Sequence, residues 1–191
     1  IRKAESIINA DPNRRYVINS APGKRDSDDQ KITDLLYLCH EHASRKLPFE
    51  EVFSIIASRF QAIADELKLQ LDLSAELATI KATITEHGQV GQPADYAASR
   101  GEFLNGKSIA AMLGWRFIDA AEVIFFNDQG KLDNQRTYDA LAEKLAGQPA
   151  VIPGFYGSTP DGQIKTFSRG GSDITGSIVA RALHAQIYEN W

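Results

Sequence analysis

The chain has 191 residues, of which 43% are hydrophobic and 24% charged, a composition typical of a globular domain that can bury a core. Its formal charge of −4, from 21 basic and 25 acidic side chains, excludes a broad basic surface for nucleic acid or an anionic membrane. No apolar run is long enough to span a bilayer. The single cysteine, Cys39, cannot form an internal disulfide. We therefore expect one cytoplasmic domain, residues 1–191, with neither a nucleic-acid nor a membrane partner.

The first part of the chain combines one helix, one strand and a polar loop. Apolar residues at helical spacing precede Asp11-Pro12 without a capping residue before them, so we expect the chain to begin inside a helix and to lack an upstream segment. Residues 15–19 are rich in β-forming side chains and predict a strand that opens into Ser20. Residues 24–31 are polar throughout and predict a mobile loop.

Four helices are predicted next. Apolar residues recur at helical spacing in 33–43, 52–67 and 73–84, which indicates three packing faces. A fourth helix is expected to use Asp95 as its cap and to end at Gly114. These predictions make the first half of the chain mostly helical.

Strands and helices alternate in the second half. Runs of β-branched and aromatic residues predict strands at 115–118, 123–126, 150–153, 164–167 and 186–189. Helical spacing predicts helices at 135–146 and 174–183. This alternation favours an α/β fold with a largely parallel sheet covered on both faces. Ligands of such sheets collect at the carboxyl ends of the strands, where several polar loops of this chain are expected.

The junction between the strand at 164–167 and the following helix has the strongest functional pattern. Gly170 and Gly171 allow backbone N–H groups to approach an anion, and the helix adds the positive end of its dipole. Arg169 offers a planar fork for carboxylate or phosphate oxygens, and Asp173 could hold a metal or orient a cation. The alternative is an ordinary glycine loop followed by a helix cap.

A second candidate lies on the helix that begins near Asp95. Ser99 and Glu102 are three residues apart and therefore share adjoining parts of one face, where Glu102 could bind an amino group. The alternative is a solvated helix charge. The four histidines show no zinc-ligand spacing with Cys39, and no phosphate-binding glycine-lysine loop, dinucleotide fingerprint or nucleophile elbow is present. The residues alone predict an α/β anion-binding domain, for which phosphotransfer is one candidate function.

Six segments in order resemble the aspartate kinase branch of the amino-acid kinase family. They are VINSAPG at 17–23, ITDLL at 32–36, SRGE at 99–102, IPGF at 152–155, SRGGSD at 168–173 and ENW at 189–191. The resemblance spans almost the whole chain, and the arginine-glycine-glycine-serine-aspartate element is its most specific part. It implies a three-layer α/β/α sandwich with a mainly parallel sheet, the amino-acid kinase fold.

The same resemblance implies a reaction and a set of site residues. MgATP would phosphorylate the side-chain carboxylate of L-aspartate to 4-phospho-L-aspartate, the first step toward lysine, threonine and methionine. Thr33, Glu102 and Arg169 would bind aspartate, with Glu102 facing its ammonium group and Arg169 its α-carboxylate. Asp173 would organise the catalytic groups. Residues near the transferring phosphoryl group would be Ser20, Gly170, Gly171 and Ser172.

Parts of the family pattern are not found in this sequence. Family members begin with a lysine-bearing strand and continue into a nucleotide-binding half and regulatory domains, so we expect the chain to be cut at both ends and inactive alone. The full-length protein is expected to be a homo-oligomer. Two alternatives remain open: a sister kinase acting on glutamate or N-acetylglutamate, and a non-catalytic binding module.

Overall fold

A computed structural model describes residues 1–168 and 170–191. The elements follow one another as α1 (Arg2–Asn9), β1 (Tyr16–Asn19), α2 (Ile32–Ser44), α3 (Glu50–Leu67), α4 (Ser74–Gln89), α5 (Asp95–Leu113), β2 (Arg116–Phe117), α6 (Asn134–Leu145), β3 (Ala150–Pro153), β4 (Tyr156–Ser158), β5 (Ile164–Thr166) and α7 (Gly171–Ala182). A single turn of 3-10 helix, Ala120–Glu122, lies between β2 and α6. None of the described helices combines the length and the apolar character needed to cross a bilayer.

Three parallel strands form the central sheet in the order β1-β3-β2. Strand β3 lies in the middle, and all four of its residues are buried because both neighbours and both faces are covered. Tyr16 of β1 and Arg116 of β2 are both opposite Ala150 of β3. The pairing of β1 with β3 continues to Asn19 and Pro153. The prediction of a parallel sheet is confirmed.

Helices cover the sheet on both faces. Val151 points toward α5, where it packs with Ile109 and Ala110. Ala150 and Ile152 point the opposite way, into a core shared with α6 and α7 through residues such as Leu141. This alternation follows from the two-residue period of a strand, and it gives the three layers, α/β/α, that were expected.

The remaining helices form a block beside the sheet. The helices α2, α3 and α4 pack against one another and against α5 around a fully apolar core. Leu36 of α2, Ile56 and Phe60 of α3 and Ile84 of α4 are all fully buried there. Each lies on the apolar stripe that its helical spacing predicted.

Two predicted strands are wrong. Val123, Ile124 and Phe126 are buried and Phe125 is half-buried, but the run forms only isolated bridges, from Phe125 to Ser158 and from Phe126 to Leu132, so it belongs to the core without being a strand. Residues 186–189 have no strand conformation and find no neighbouring strand among the described residues. Tyr188 packs on Gly176 of α7 instead.

The sequence also missed a hairpin. Strands β4 and β5 pair antiparallel, with Tyr156 opposite Thr166; β4 was not predicted, whereas β5 lies within the strand predicted at 164–167. Asp95 does not cap α5: the structure gives that position to Ala94, whose side chain offers no cap, and the carboxylate of Asp95 accepts hydrogen bonds from Thr166. A tertiary contact has taken the place of the expected local one.

The loop at 24–31 has an anchor that its polar composition did not predict. Asp29 forms an ion pair with Arg59 of α3, and the two side chains are only 7% and 3% exposed. Arg25 pairs with the same carboxylate. This buried contact fixes the end of the loop that leads into α2.

Candidate functional site

The ends of β1 and β3 meet the start of α7 at one edge of the sheet. Ser20, just after β1, donates a hydrogen bond from its Oγ to the Oγ of Ser172, at 2.9 Å. Gly154, just after β3, lies so close to Ser172 that an added Cβ would be 2.7 Å from its Cα. The carboxyl ends of parallel strands and a helix N-terminus form the usual ligand-binding edge of an α/β sheet.

The start of α7 depends on two glycines. Gly170 precedes the helix with φ 59° and ψ 29°, the left-handed conformation in which a side chain is strained. Gly171 packs on Phe155, and a Cβ there would lie 2.6 Å from the phenyl ring. The first N–H groups of a helix lack intrahelical partners, so this close-packed turn presents donors and a positive dipole end near Ser20.

Asp173 is exposed in the first turn of α7. Its Oδ1 accepts a hydrogen bond from the side-chain amide of Asn190, at 3.0 Å. Arg169, the predicted carboxylate ligand, lies outside the described residues. The structure thus brings together Ser20, Gly171 and Ser172, with Asp173 one residue further along the same helix.

Glu102 lies on α5 and is only 6% exposed. Its Oε2 has no hydrogen-bonding partner among the described residues. Burial raises the pKa of this carboxyl to about 7, although the amide of Ala21 and the charge of Arg100 act in the opposite direction. A solvated helix charge would have neither property, so the alternative drawn from the sequence is excluded for Glu102.

Two hydrogen bonds join the Glu102 segment to the end of β1. The side-chain amide of Asn19 donates to the carbonyl of Glu102, at 2.9 Å. The amide of Asn105 donates to the carbonyl of Ser20, at 2.7 Å. Glu102 is therefore tied to the strand end that also carries Ser20.

Thr33 is the second residue of α2. It is half-buried in the first turn, next to Ile32. A Cβ on Gly101 would lie 2.9 Å from Ala21 and 3.1 Å from Ile32, so helix α2 approaches α5 closely at this point. The absence of a side chain at Gly101 places the start of α2 beside the turn of α5 that carries Glu102.

Asn19 and Asn105 are site residues that the sequence analysis missed. Both are buried, and their Oδ1 atoms, like Oε2 of Glu102, have no partner among the described residues. Such buried polar atoms require an explanation, because nearly all of them are satisfied in native proteins. A signal was present for Asn105, which follows Glu102 by three residues on one helix face.

Arg100 is a further buried cation that the sequence did not single out. Its guanidinium lies over three aromatic rings, 4.6 Å from the centroids of Tyr96 and Phe103 and 5.0 Å from that of Tyr156. Its Nε and Nη2 donate to Ser99 Oγ. Arg100 therefore anchors α5 to β4.

Comparison with known proteins gives consistent matches. Residues 26–191 match the amino acid kinase family model. Aspartokinase 3 of Bacillus subtilis is 34% identical over 99% of this chain and 44% of its own length, and lysine-sensitive aspartokinase 3 of Escherichia coli is 28% identical over 100% and 45%. The chain therefore spans less than half the length of these relatives.

Solved structures agree with this assignment. The crystal structure of Clostridium acetobutylicum aspartate kinase matches with a TM-score of 0.94 and 50% identity, over 100% of this chain and 43% of that one. Escherichia coli aspartokinase III in complex with lysine and aspartate matches with a TM-score of 0.79, at 24% identity and over 96% of this chain, and supports the fold alone. By its sequence match and its fold, the chain belongs to the amino acid kinase family and is similar to the aspartate kinases within it.

Proposed function

We propose that this chain forms the amino-acid-binding part of an ATP-dependent aspartate kinase. The observation that carries the proposal is the buried Glu102 carboxylate, which has one oxygen without a partner among the described residues and is tied through Asn19 to the strand end beside α7. A buried anion without a protein partner is suited to a ligand cation, here the ammonium group of a free amino acid. The similarity to aspartate kinases supports aspartate as that amino acid.

The remaining site residues take the roles that the family resemblance implies. Thr33, at the start of α2, contacts aspartate together with Glu102, and Arg169 binds its α-carboxylate. Asp173 organises the catalytic groups. The residues closest to the transferring phosphoryl group are Ser20, Gly170, Gly171 and Ser172, which surround the N-terminus of α7.

Magnesium would accompany ATP. Among the described residues there is no cluster of three acidic, histidine or cysteine side chains that could hold a metal ion. One carboxylate is enough for an Mg²⁺ ion that is held mainly by nucleotide phosphates and waters. Asp173, exposed at the start of α7, is the residue that would supply it. The ion would neutralise charge on the phosphate oxygens.

The reaction needs positioning more than proton transfer. The β-carboxylate oxygen of aspartate attacks the γ-phosphorus of ATP, the bond from that phosphorus to the bridging oxygen breaks, and the products are 4-phospho-L-aspartate and ADP. A carboxylate is already ionised at neutral pH, so no general base is required. The work of the protein is to align the two anions and to balance the developing charge with N–H groups and cations.

Two other functions differ in what they would bind. The substrate of an N-acetylglutamate kinase has no ammonium group for Glu102, so the buried carboxylate favours a free amino acid. The substrate of a glutamate kinase has that ammonium group. A non-catalytic binding module would bind aspartate without turnover. The proposed enzyme would act in the cytoplasm, as a homo-oligomer, in the synthesis of aspartate-derived amino acids.

The test is to trap the acyl phosphate with hydroxylamine in the presence of MgATP. The full-length kinase, meaning a polypeptide that carries this chain and the rest of the length of its relatives, should give the hydroxamate with aspartate in preference to glutamate and N-acetylglutamate. The 191-residue chain should give none, and calorimetry should show whether it still binds aspartate. Preference for glutamate would contradict the proposed substrate.

Replacement of Arg169 by lysine tests the carboxylate-binding role in the full-length kinase. Lysine keeps the charge but loses the two-pronged donor geometry. We expect the KM for aspartate to rise about tenfold or more with little change in the KM for ATP. An unchanged KM for aspartate would remove Arg169 from the substrate site.

A further inference from the structure

The end of β1 lies directly against a short stretch of α5. A Cβ on Gly101 would lie 2.9 Å from the side chain of Ala21. A Cβ on Gly106 would lie 2.9 Å from Oδ1 of Asn19. So close an approach of two segments needs residues without side chains. Glu102 lies between the two glycines, so its place on α5 is set directly against the end of β1.

Two side-chain amides join the segments at this point. Nδ2 of Asn19 donates to the carbonyl of Glu102 at 2.9 Å and also to that of Ser20 at 3.2 Å. Nδ2 of Asn105, on α5, donates to the carbonyl of Ser20 at 2.7 Å. Asn19 is only 5% exposed and Asn105 only 6%. Hydrogen bonds withdrawn from water in this way are costly to break, because the freed groups find no other partner.

These amides are not the most stable choice for their positions. Oδ1 of each has no partner among the described residues, and a buried acceptor without a partner lowers stability. Ser108, also buried on α5, has its hydroxyl satisfied within the helix, where Oγ donates to the carbonyl of Leu104 at 3.0 Å. The bonds of Asn19 and Asn105 run instead between α5 and β1, so they hold the backbone of Ser20 at a fixed distance from that of Glu102.

The linked residues face different ends of the phosphoryl acceptor. In the proposed function Glu102 binds the α-ammonium group, and Ser20 lies beside the transferring phosphoryl group. The acceptor spans this interval with its α-carbon and its side chain. Glutamate has one methylene more than aspartate, which lengthens the reach from ammonium to side-chain carboxylate by about 1.3 Å. The separation of Glu102 and Ser20 therefore differs in fit between the two amino acids.

We propose that Asn19 and Asn105 are positioning residues that fix the separation of Glu102 and Ser20, and thereby restrict the phosphoryl acceptor to the side-chain length of aspartate. The inference rests on the proposed function. In this role neither amide needs to touch the substrate. A misplacement of about 1 Å can lower a reaction rate about 100-fold, so links that hold two backbones more closely than that can select against one methylene.

A positioning role and a merely structural one change different quantities. When a link is lost, Glu102 keeps its charge and aspartate still binds, but its side-chain carboxylate is no longer aligned for attack. The kcat for aspartate should therefore fall more than its KM rises. Glutamate is misaligned from the start and should lose less. A structural role would lower the melting temperature and leave the ratio of the two substrates unchanged.

The experiment compares variants of the full-length kinase by hydroxamate formation from aspartate and from glutamate, with KM and melting temperature measured for each variant. Asn19→Leu and Asn105→Leu each remove one link with little change in size, whereas Asn105→Ser retains a donor. Gly106→Ala displaces Asn19 without removing a polar group. Ser108→Ala is the matched control, because it removes a buried hydrogen bond that lies entirely within α5.

We expect Asn19→Leu and Asn105→Leu each to lower the kcat for aspartate about tenfold, with the KM for aspartate and for ATP changed by less than about threefold. The ratio of glutamyl to aspartyl hydroxamate should rise about tenfold. Gly106→Ala should shift the ratio in the same direction. Asn105→Ser should retain a kcat within about threefold of the parent, and Ser108→Ala should leave both kcat and the ratio unchanged.

The outcomes separate the two proposals. An active parent whose leucine variants keep its kcat for aspartate, or lose it without a rise in the glutamyl to aspartyl ratio, would overturn the positioning role and leave the proposed function intact. The same change in Ser108→Ala would overturn it too. If the leucine variants do not fold, the ratio measured with Gly106→Ala decides. A parent that does not phosphorylate aspartate would overturn the proposed function and the inference with it.

Discussion

Asp29 and Glu102 are both carboxylates withdrawn from solvent, but they are compensated in opposite ways. Hydrogen bonds from Arg25 and the charge of Arg59 lower the pKa of Asp29 to about 2. Burial raises the pKa of Glu102 to about 7, and its Oε2 is unsatisfied among the described residues. Asp29 is paired within the protein, whereas Glu102 has one carboxylate oxygen without a hydrogen-bonding partner among the described residues.

This difference has opposite consequences for the stability of the fold. Asp29 contributes stability that is present above its usual pKa of 3.8 and is lost as the pH falls toward about 2. Ionisation of Glu102 instead lowers the stability of the fold as the pH rises. Its folded pKa lies above the usual 4.5, so the carboxyl ionises less readily in the folded state than in the unfolded state. The protein therefore maintains Glu102 at a cost in stability, which is common for binding residues.

The largest expected effect is on aspartate binding, through Glu102→Gln in the full-length kinase. Glutamine keeps the shape but removes the negative charge opposite the ammonium group, a loss of about 3 kcal/mol or about 100-fold in the KM for aspartate. Steady-state kinetics with aspartate and ATP varied separately measure it. Glu122→Gln, on an exposed carboxylate paired with Lys144, is the control and should leave the KM unchanged.

The second effect is a gain in stability from the same substitution. Between pH 4.5 and about 7 the folded state keeps the Glu102 proton and the unfolded state releases it, so the free energy of unfolding of the parent falls as the pH rises. Glu102→Gln should remove this loss and be more stable at pH 8 by up to about 3 kcal/mol. Urea unfolding of the chain at pH 5 and pH 8 measures the difference. An equal effect at both pH values would show that the carboxyl of Glu102 is not perturbed.

The third effect is a loss of stability from Asp29→Asn, which leaves the buried Arg59 cation without its partner charge. We expect the melting temperature to fall by about 5 °C or more. Asp26→Asn, in the exposed part of the same loop, should change it little. Adding Arg59→Met to Asp29→Asn should recover part of the loss, because the unpaired charge is removed. A fall in aspartate affinity as large as that of Glu102→Gln would mean that the two carboxylates do not have separate roles.

Most helices could be predicted from the sequence, because helical periodicity is a local property. The helices α2 to α5 cover the predicted segments 33–43, 52–67, 73–84 and the one that ends at Gly114, each to within one residue at its predicted ends. Strands were harder to predict because an apolar run is compatible with any buried conformation. Residues 123–126 are core without forming a strand, and 186–189 pair with no strand among the described residues, although both have β-forming composition.

In the candidate site, too, some features could be predicted from the sequence and others could not. The family resemblance pointed to Ser20, Gly170, Gly171 and Ser172 in advance, and the structure brings Ser20 and Ser172 into hydrogen-bonding contact. The roles of all the predicted site residues stay predictions: Ser20, Thr33, Glu102, Arg169, Gly170, Gly171, Ser172 and Asp173. The sequence did not reveal the bond from Asn19 to Glu102, because its partners are 83 positions apart.

By itself the sequence determined the alternation of helices and strands, the helix faces that are buried and the glycine-rich turn at the start of α7, since each depends on residues that are close together in the chain. Only the tertiary structure decided which buried carboxylates are paired and which have an unsatisfied oxygen among the described residues. Asp29 pairs with Arg59 and Asp95 accepts hydrogen bonds from Thr166, whereas Oε2 of the buried Glu102 has no hydrogen-bonding partner among the described residues. Burial and pairing depend on segments that fold together from distant parts of the chain, and they set the pKa and the availability of each carboxylate.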